Sequence, residues 1–529
     1  MPDEVTTPVV HIDEMPAVPP PVPVLPTAVT AFVGRTARGP VGEPRTVRSL
    51  AEFERVFGGL WLGGPLGHAV RDYFVNGGAE AVVVRVLGAA AGPARAALNL
   101  GGGVVLEAAN EGAWGNALRA RVEHPAGPDD ATAVRFTLTV RDGGTGDVEV
   151  FPDVCLDPGD PRRLDAVLAA SSALVRLRSG TGSPRPPASA PVAAGVEPWA
   201  DPDPPTSVAV AAGDRADDGA GLTADDFVGP QQEDQGRGLY ALRRADLFTL
   251  LNVPPYLSAA GTVPADPAAE PPEAVDAAVL ATASALCRAH RAVLLVDPPP
   301  SWATADDAVH GVGALGVAGS HVAVYFPRLL QPDPLRGNAV RSVAPSGAVA
   351  GVVARTDSTR GVRHPPAGPG AALRGTAGLT TTLTADEVTA LSAAGVNALQ
   401  VLPRHGAVVR GAGTLDDTGS ERAYLPVRRL LSTIGQSLER GLTWTVFEPS
   451  DEALWSTVRR TVEDYLQTLF RQGAFAGTTP DEAYFVRCDR TTTTQADLDA
   501  GRLVCLVGVA PLVPAEFVLL RVVQRTALP

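Results

Sequence analysis

The sequence predicts a multi-domain α/β protein with a β-rich insertion and extended arms at both termini. Three observations carry this reading. Short apolar runs alternate with helical patterns in the first hundred residues and again after about residue 216. Between these regions the pattern changes to polar–apolar alternation broken by Gly and Asp. Both ends carry β-compatible segments that their neighbouring sequence does not obviously pair. The 529 residues exceed what one core can organise, and 45% hydrophobic content suffices to bury several. The expected division is an arm at 1–26, a first part of the core at 27–100, the insertion at 101–215, a middle part of the core at 216–375 and a C-terminal domain at 376–529.

The arm holds Pro16, Pro19, Pro20, Pro21, Pro23 and Pro26, which favour an extended, polyproline-like chain. One short β-compatible piece, Val9, Val10, His11 and Ile12, lies within it. From Thr27, "TAVTAFVG" reads as a buried strand ending in a glycine turn. In "SLAEFERVFG", Ser49 is an N-cap with Glu52 at capping-box spacing, and Leu50, Phe53, Val56 and Phe57 share one face. "LGHAVRDYFVNGG" is a second helix stopped by Asn76-Gly77-Gly78, and "EAVVVRVLG" a second buried strand. "LRARVEH", "AVRFTLTVRD" and "GDVEVFPDV" are the antiparallel strands of the insertion, followed by a helix over 161–178. Residues 179–218, rich in Pro, Ala, Ser and Asp, read as a linker or mobile loop.

The α/β pattern then resumes. "GLYALRRADLFTLLNVPP" gives a helix and a strand, 272–291 a long amphipathic helix, and "AVLLVDPPP" and "HVAVYFP" parallel-type strands. Residues 340–380 read as loop-rich, and helices are expected at 384–394, 426–440 and 450–472. "AYFVRCD", "RLVCLVGVAP" and the final run Phe517, Val518, Leu519, Leu520, Arg521, Val522 and Val523 are strands. That final strand needs a neighbour, because unpaired N–H and C=O groups form an open edge.

Charge and motif content narrow the chemistry. A net charge of -14 argues against nucleic acid and anionic membrane surfaces as direct partners. The sequence contains no lysine, which excludes a Schiff-base or phosphate-loop lysine. Gly311-Val312-Gly313-Ala314-Leu315-Gly316 matches G-x-G-x-x-G, but a helical pattern precedes it and a strand follows, the reverse of the dinucleotide order. There is no G-x-S-x-G elbow, and the eight histidines form no H-x-x-x-H pair. Asp416, Asp417 and Glu421 read as a solvated loop, with too few alternating oxygens for a cation. Cys155, Cys287, Cys488 and Cys505 form no C-x-x-C pair and read as buried free thiols of a reducing compartment. The acidic start "MPDEVTTPVV" lacks a signal-peptide pattern, and no apolar run reaches 18 residues, so cytoplasmic synthesis is expected. No catalytic, cofactor or metal site is predicted from these patterns, although carboxylates brought together only by folding would escape them.

Longer segments resemble the contractile tail sheath proteins of phages, phage-tail-like bacteriocins and related injection systems. They are 27–59 with 69–86, "GAWGNALRARV", 239–255, 285–299, 343–368, 383–400, 424–477 and 507–524. The resemblance departs at "VVRGAGTLDD", where Gly413 stands in place of the arginine usual before the threonine. It implies a structural subunit that stacks as hexameric rings into a helical tube around an inner tube protein, with baseplate and terminal cap proteins as further partners and no cofactor. The arm strand and the terminal strand 517–523 would then be lent to neighbouring copies. The inner tube would be met by the C-terminal domain, with Arg459, Arg460, Glu463 and Asp464 of helix 450–472 as the contact candidates. The particle would assemble in the cytoplasm and leave by lysis. A rival reading is an α/β hydrolase-like enzyme with a β-rich insertion, which requires a pocket of converging polar groups.

Overall fold

The computed structural model describes residues 20–525 apart from 90–91, 93, 126–133, 194, 201–204, 259, 265–271, 417–422 and 513–517. Val9, Val10, His11, Ile12, Asp417, Glu421 and Phe517 therefore lie outside the described residues. Two compact units emerge: a core unit, Thr27–Arg429, and a C-terminal unit formed by the chain up to Pro26 with Leu430–Pro529.

The core unit begins with β1 (Thr30–Gly34), β2 (Arg45–Val47), α1 (Leu50–Phe57), α2 (Leu66–Val75) and β3 (Ala81–Arg85). The Ser49 side chain accepts from the Glu52 N–H at 3.1 Å, as its spacing predicts. The Glu52 carboxylate, however, accepts from the Arg48 N–H (2.8 Å), one residue outside the reciprocal box. β2, an edge strand too short to show in the sequence pattern, pairs antiparallel with β3.

The insertion contains β4 (Ala97–Gly101), β5 (Val104–Ala108), β6 (Leu118–Glu123), β7 (Phe136–Asp142), β8 (Val148–Val154), α3 (Leu164–Ser171), β9 (Val175–Ser179) and β10 (Val208–Ala209). These form two antiparallel sheets, β4-β5-β9 and β10-β6-β7-β8, around one apolar core that includes Leu98, Leu106, Leu118, Phe136, Leu138 and Leu164. Two expectations are corrected here. The helix over 161–178 stops at Ser171, and Val175–Ser179 turns into a strand on β5, because pairing there satisfies its backbone and buries Val175. The segment 179–218 is not a free linker in its described part. β10 pairs with β6, Ser189 donates to the Val122 carbonyl at 2.8 Å, and Asn116 exchanges two hydrogen bonds with Ala216, both 2.8 Å. A proline-rich chain has few N–H groups to satisfy, so it can lie extended across a sheet held by a few such bonds. The insertion is fastened to the core by a buried Arg38–Asp142 pair at 3.1 Å. Arg85 adds to this by donating to the carbonyls of Gly39 (2.8 Å) and Glu111 (2.9 Å).

The chain returns through two short helices, α4 (Ala224–Val228) and α5 (Pro230–Asp234), then β11 (Leu250–Asn252), α6 (Ala277–Ala289), β12 (Val293–Val296), α7 (Ala305–Gly311) and β13 (Val322–Phe326). A hairpin, β14 (Leu329–Asp333) and β15 (Ala339–Val343), precedes α8 (Ser346–Arg360), β16 (Gly378–Leu379), α9 (Ala385–Ala393), β17 (Val396–Leu402) and β18 (Gly406–Val409). The central sheet has the order β18-β17-β13-β12-β11-β1-β3-β2, with its six inner strands parallel. Its strands are buried on both faces, which explains their unbroken apolar sequences. Gly311–Gly316 spans the end of α7 and a 3-10 turn before β13, so no strand feeds it from the N-terminal side.

The loop-rich expectation for 340–380 is also overturned, because α8 is a fifteen-residue helix. Its Ala, Gly and Val residues are buried all round, so no polar face marked it as a helix. Gly347 and Gly351, one turn apart, let it lie directly on α2: a Cβ would fall 2.4 Å from the Ala69 carbonyl oxygen and 2.4 Å from that of Tyr73, respectively. At its far end Asp357 is buried against Arg429, whose Nη1 donates to Oδ1 at 2.9 Å, and Arg429 also donates to the Thr27 carbonyl at 2.8 Å. The Thr27 hydroxyl donates to Asp357 Oδ2 at 2.5 Å. The first and last residues of the core unit are thus tied to one carboxylate.

The C-terminal unit contains most of α10 (Leu425–Gly441), then α11 (Glu452–Arg471), α12 (Pro480–Ala483), β19 (Tyr484–Arg487), α13 (Gln495–Asp499), β20 (Arg502–Val509) and β21 (Val518–Arg525). Among the described residues no helix is long and apolar enough to cross a membrane.

Replacing Asp357 by Ala leaves the Arg429 guanidinium buried without its carboxylate, and should cost about 3–5 kcal/mol in urea unfolding of the core unit. Gly351→Ala should cost about 1–3 kcal/mol by collision with α2, whereas Gly370→Ala, where a Cβ meets nothing within 4 Å, should be near neutral. His321 provides a pH test. Its Nδ1–H donates to the Ala292 carbonyl (2.6 Å), and burial, reinforced by Arg428, Arg288 and Arg291, lowers its pKa from 6.5 to about 4. Between these values the unfolded chain takes up a proton that the folded one does not. This contribution to stability is present above pH 6.5 and lost as the pH falls toward 4. His321→Gln should therefore flatten the acid slope of stability across that window by up to about one proton.

Candidate functional site

Open α/β sheets bind ligands outside the carboxyl ends of their strands, where the winding direction switches. Here the switch falls between β1 and β11, since β1 leads to β3 on one side while the later strands extend on the other. The crevice at that point is lined by Gly34, Gly64, Leu66, Pro254, Pro255 and Tyr256 and has a volume of about 20 Å³. That is room for roughly one water molecule. Beside it, His68 Nε2 lies 3.3 Å from Asp333 Oδ1, a pairing that in an open pocket would suit a general base. Burial, with Arg341 adding to it, lowers the His68 pKa to about 4, so the ring is neutral at pH 7. The adjoining cavity is only about 10 Å³, and Asp333 is held by Arg341 at 2.8 Å. The cluster therefore works as a buried polar joint between α2 and the β14–β15 hairpin.

The open surface of the fold lies in the C-terminal unit. β19, β20 and β21 form one antiparallel sheet with β20 in the middle. β21 pairs with β20 over eight residues, from Arg502↔Arg525 to Val509↔Val518. One edge of the terminal strand is thus satisfied by its own chain. Its other edge borders no strand among the described residues, and the same holds for the outer edge of β19. Of the terminal-strand residues, Val518, Leu519, Leu520, Arg521, Val522 and Val523 lie in β21.

α11 lies on this sheet. Asp451 caps it, accepting from the Leu454 N–H at 2.8 Å, and Leu454, Trp455, Val458, Val462, Tyr465 and Leu466 make its buried face. Of the four charged candidates on this helix, Arg460 and Asp464 stand exposed one turn apart, while Arg459 and Glu463 are half-buried. Glu463 and Asp464 contribute to raising the Tyr484 pKa, behind burial, and the Tyr484 hydroxyl donates to Gln467 at 2.7 Å.

The described end of the arm belongs to the same unit. Val22 and Leu25 are buried, and the chain passes so close to the end of α10 that a Cβ on Gly441 would lie 2.9 Å from the Val22 Cα. Nothing in the sequence marked Gly441 for this role, since a glycine at a helix end reads as a stop signal.

Other predicted positions are structural or solvent-side. Gly413 donates to Asn397 Oδ1 at 2.6 Å and accepts from Asn397 Nδ2 at 2.9 Å, so this backbone is held by an amide. Among the described residues no group of three or more His, Cys, Asp or Glu side chains is placed to hold a metal ion.

The comparisons follow this architecture. Residues 417–525 match the phage tail sheath C-terminal domain family. The whole chain has the fold of contractile sheath proteins. It is similar to the sheath of the extracellular contractile injection system PVC in its contracted state, at 20% identity and TM-score 0.56, with 99% of each chain covered. Against the contracted helical sheath of the anti-feeding prophage the identity is 21% and the TM-score 0.53, covering 98% of this chain and 99% of that one. A sheath tail protein from Listeria innocua gives 13% identity and TM-score 0.61, with 96% of each chain covered. No curated protein matches the chain.

Replacing Gly441 by Ala should push the arm off α10. Proteinase K cleavage before Thr27 should then rise about fivefold or more relative to the parent, with the unfolding midpoint of the core unit unchanged.

Proposed function

We propose that this chain is the structural subunit of a contractile sheath. It polymerises as stacked hexameric rings around an inner tube and shortens to drive that tube through a target envelope. The observation that carries this reading is the sheath fold over nearly the full length together with the match of 417–525 to the sheath C-terminal domain. The geometry supplies the means. A three-stranded sheet whose two outer edges border no strand among the described residues can accept strands from other chains, and the arm belongs to the same unit and can provide one. Such a contact joins two different surfaces, and a rotation that does not close generates an open helix.

In this reading Val9, Val10, His11 and Ile12 add to the sheet of one neighbour, while the terminal strand, expected to be lent whole to a copy, stays paired with β20 of its own chain and shares its other edge with a neighbour. Contraction is then a change between two packings of the same subunits, with the extended one metastable and the energy stored during assembly. Backbone ladders tolerate rotation of the bodies they join, so links of this kind persist through the change. The proposed role is structural, as the sheath fold supports. Arg460 and Asp464 are the exposed charges proposed to meet the inner tube protein, with Arg459 and Glu463 behind them. Baseplate and cap proteins bind the ends of the cylinder, and the particle assembles in the cytoplasm before release by lysis.

Deleting residues 1–26 tests the arm. The truncated chain should stay folded but sediment as small species where the parent forms filaments. Filaments formed with parental efficiency would show that the arm makes no intersubunit strand.

A further inference from the structure

We propose that Cys488 and Cys505 are a convertible thiol pair, a cross-strand site at which a small-molecule disulfide oxidises the two side chains to an intrachain disulfide. The register places them together. β19 and β20 pair from Tyr484↔Val509 to Arg487↔Leu506, and one further step sets Cys488 opposite Cys505. The Ala510 N–H donates to the Ala483 carbonyl at 2.8 Å, so hydrogen-bonded pairs fall at every second step from there. Cys488 and Cys505 therefore occupy a non-hydrogen-bonded position, where Cα atoms approach to about 4.5 Å and side chains lie closest. That spacing is within the range a disulfide spans.

Both side chains are buried. The Cys505 thiol is held well above its ordinary pKa, first by hydrogen bonding to Cys488 and then by desolvation. The register thus sets the two buried side chains next to each other, and the closed sheet keeps them as thiols. Cys155 and Cys287 are also buried but lie in the core unit. Oxidation requires β19 to open. It is an edge strand of four residues, so it is the piece of this sheet held by the fewest ladder bonds. When it opens, the thiolate of one cysteine attacks the reagent R–S–S–R, forming a mixed disulfide and releasing R–S⁻. The second thiolate then displaces the other R–S⁻, and the two cysteine protons end on the two R–SH products. The sheet recloses around the new bond.

The disulfide closes the loop that carries α13 and ties the edge strand to the central one. Among the described residues the outer edge of β19 borders no strand, so the redox state sets how firmly that edge is presented. The pair is reduced when the chain is made and becomes a staple once the protein meets oxidised surroundings.

The test uses the full-length chain, incubated with millimolar oxidised glutathione in sub-denaturing urea, then returned to buffer. Titratable thiols, counted after denaturation, should fall from four to two. Peptide mapping should recover one linked peptide containing 488 and 505. The unfolding midpoint of the C-terminal unit should rise by roughly 5–10 °C and return with dithiothreitol. Cys505→Val should abolish both the link and the shift. Four thiols remaining, glutathione left on either residue without the link, or a link involving Cys155 or Cys287 would overturn the assignment.

Discussion

The buried carboxylate of Asp357 is the constraint on which the chain path depends. It is nearly inaccessible, and so is the Arg429 guanidinium it holds. A buried ion pair of this kind contributes little net stability against apolar residues of similar shape, because both charges have lost water. Its value is geometric. Thr27 and Arg429, the two ends of the core unit, are bonded to the same side chain, so the chain enters and leaves this unit at one place. Asp357 can hold that place because α8 is fixed along α2 by Gly347 and Gly351, which allow backbone to meet backbone.

Energy in the proposed assembly comes from a different source. A single added strand makes a handful of backbone hydrogen bonds, each worth about 0.5–1.5 kcal/mol net. One link is therefore weak, and a cylinder that repeats it at every subunit is strong. The links are also indifferent to side chains, since they use N–H and C=O groups alone. That lets a subunit change its packing against neighbours while remaining tethered to them, which is what a contractile polymer requires.

Much of this was legible before any coordinates. Strands buried on both faces announced the parallel sheet, because "AVVVR" and "VAVYF" leave no polar alternation. Ser49 marked a helix start through chemistry that acts within four residues. What escaped was set by distant contacts. α8 has no amphipathic stripe because it is surrounded, so periodicity is silent on it. β9 borrows its conformation from β5, and a helix pattern over 161–178 cannot reveal a partner seventy residues earlier. The pairing of β21 with β20 also escaped, since register is a property of two segments and the terminal run shows only one of them. Of the four charged candidates on α11, only Arg460 and Asp464 emerge exposed.

The central claim is that the C-terminal sheet is completed by other copies of this chain. A helical reconstruction of the assembled full-length protein by electron cryomicroscopy tests it most directly. The account predicts hollow cylinders in which the outer edges of β19 and β21 continue into strands contributed by adjacent subunits. Cylinders in which both edges face solvent, or a protein that remains in discrete compact particles under assembly conditions, would contradict it.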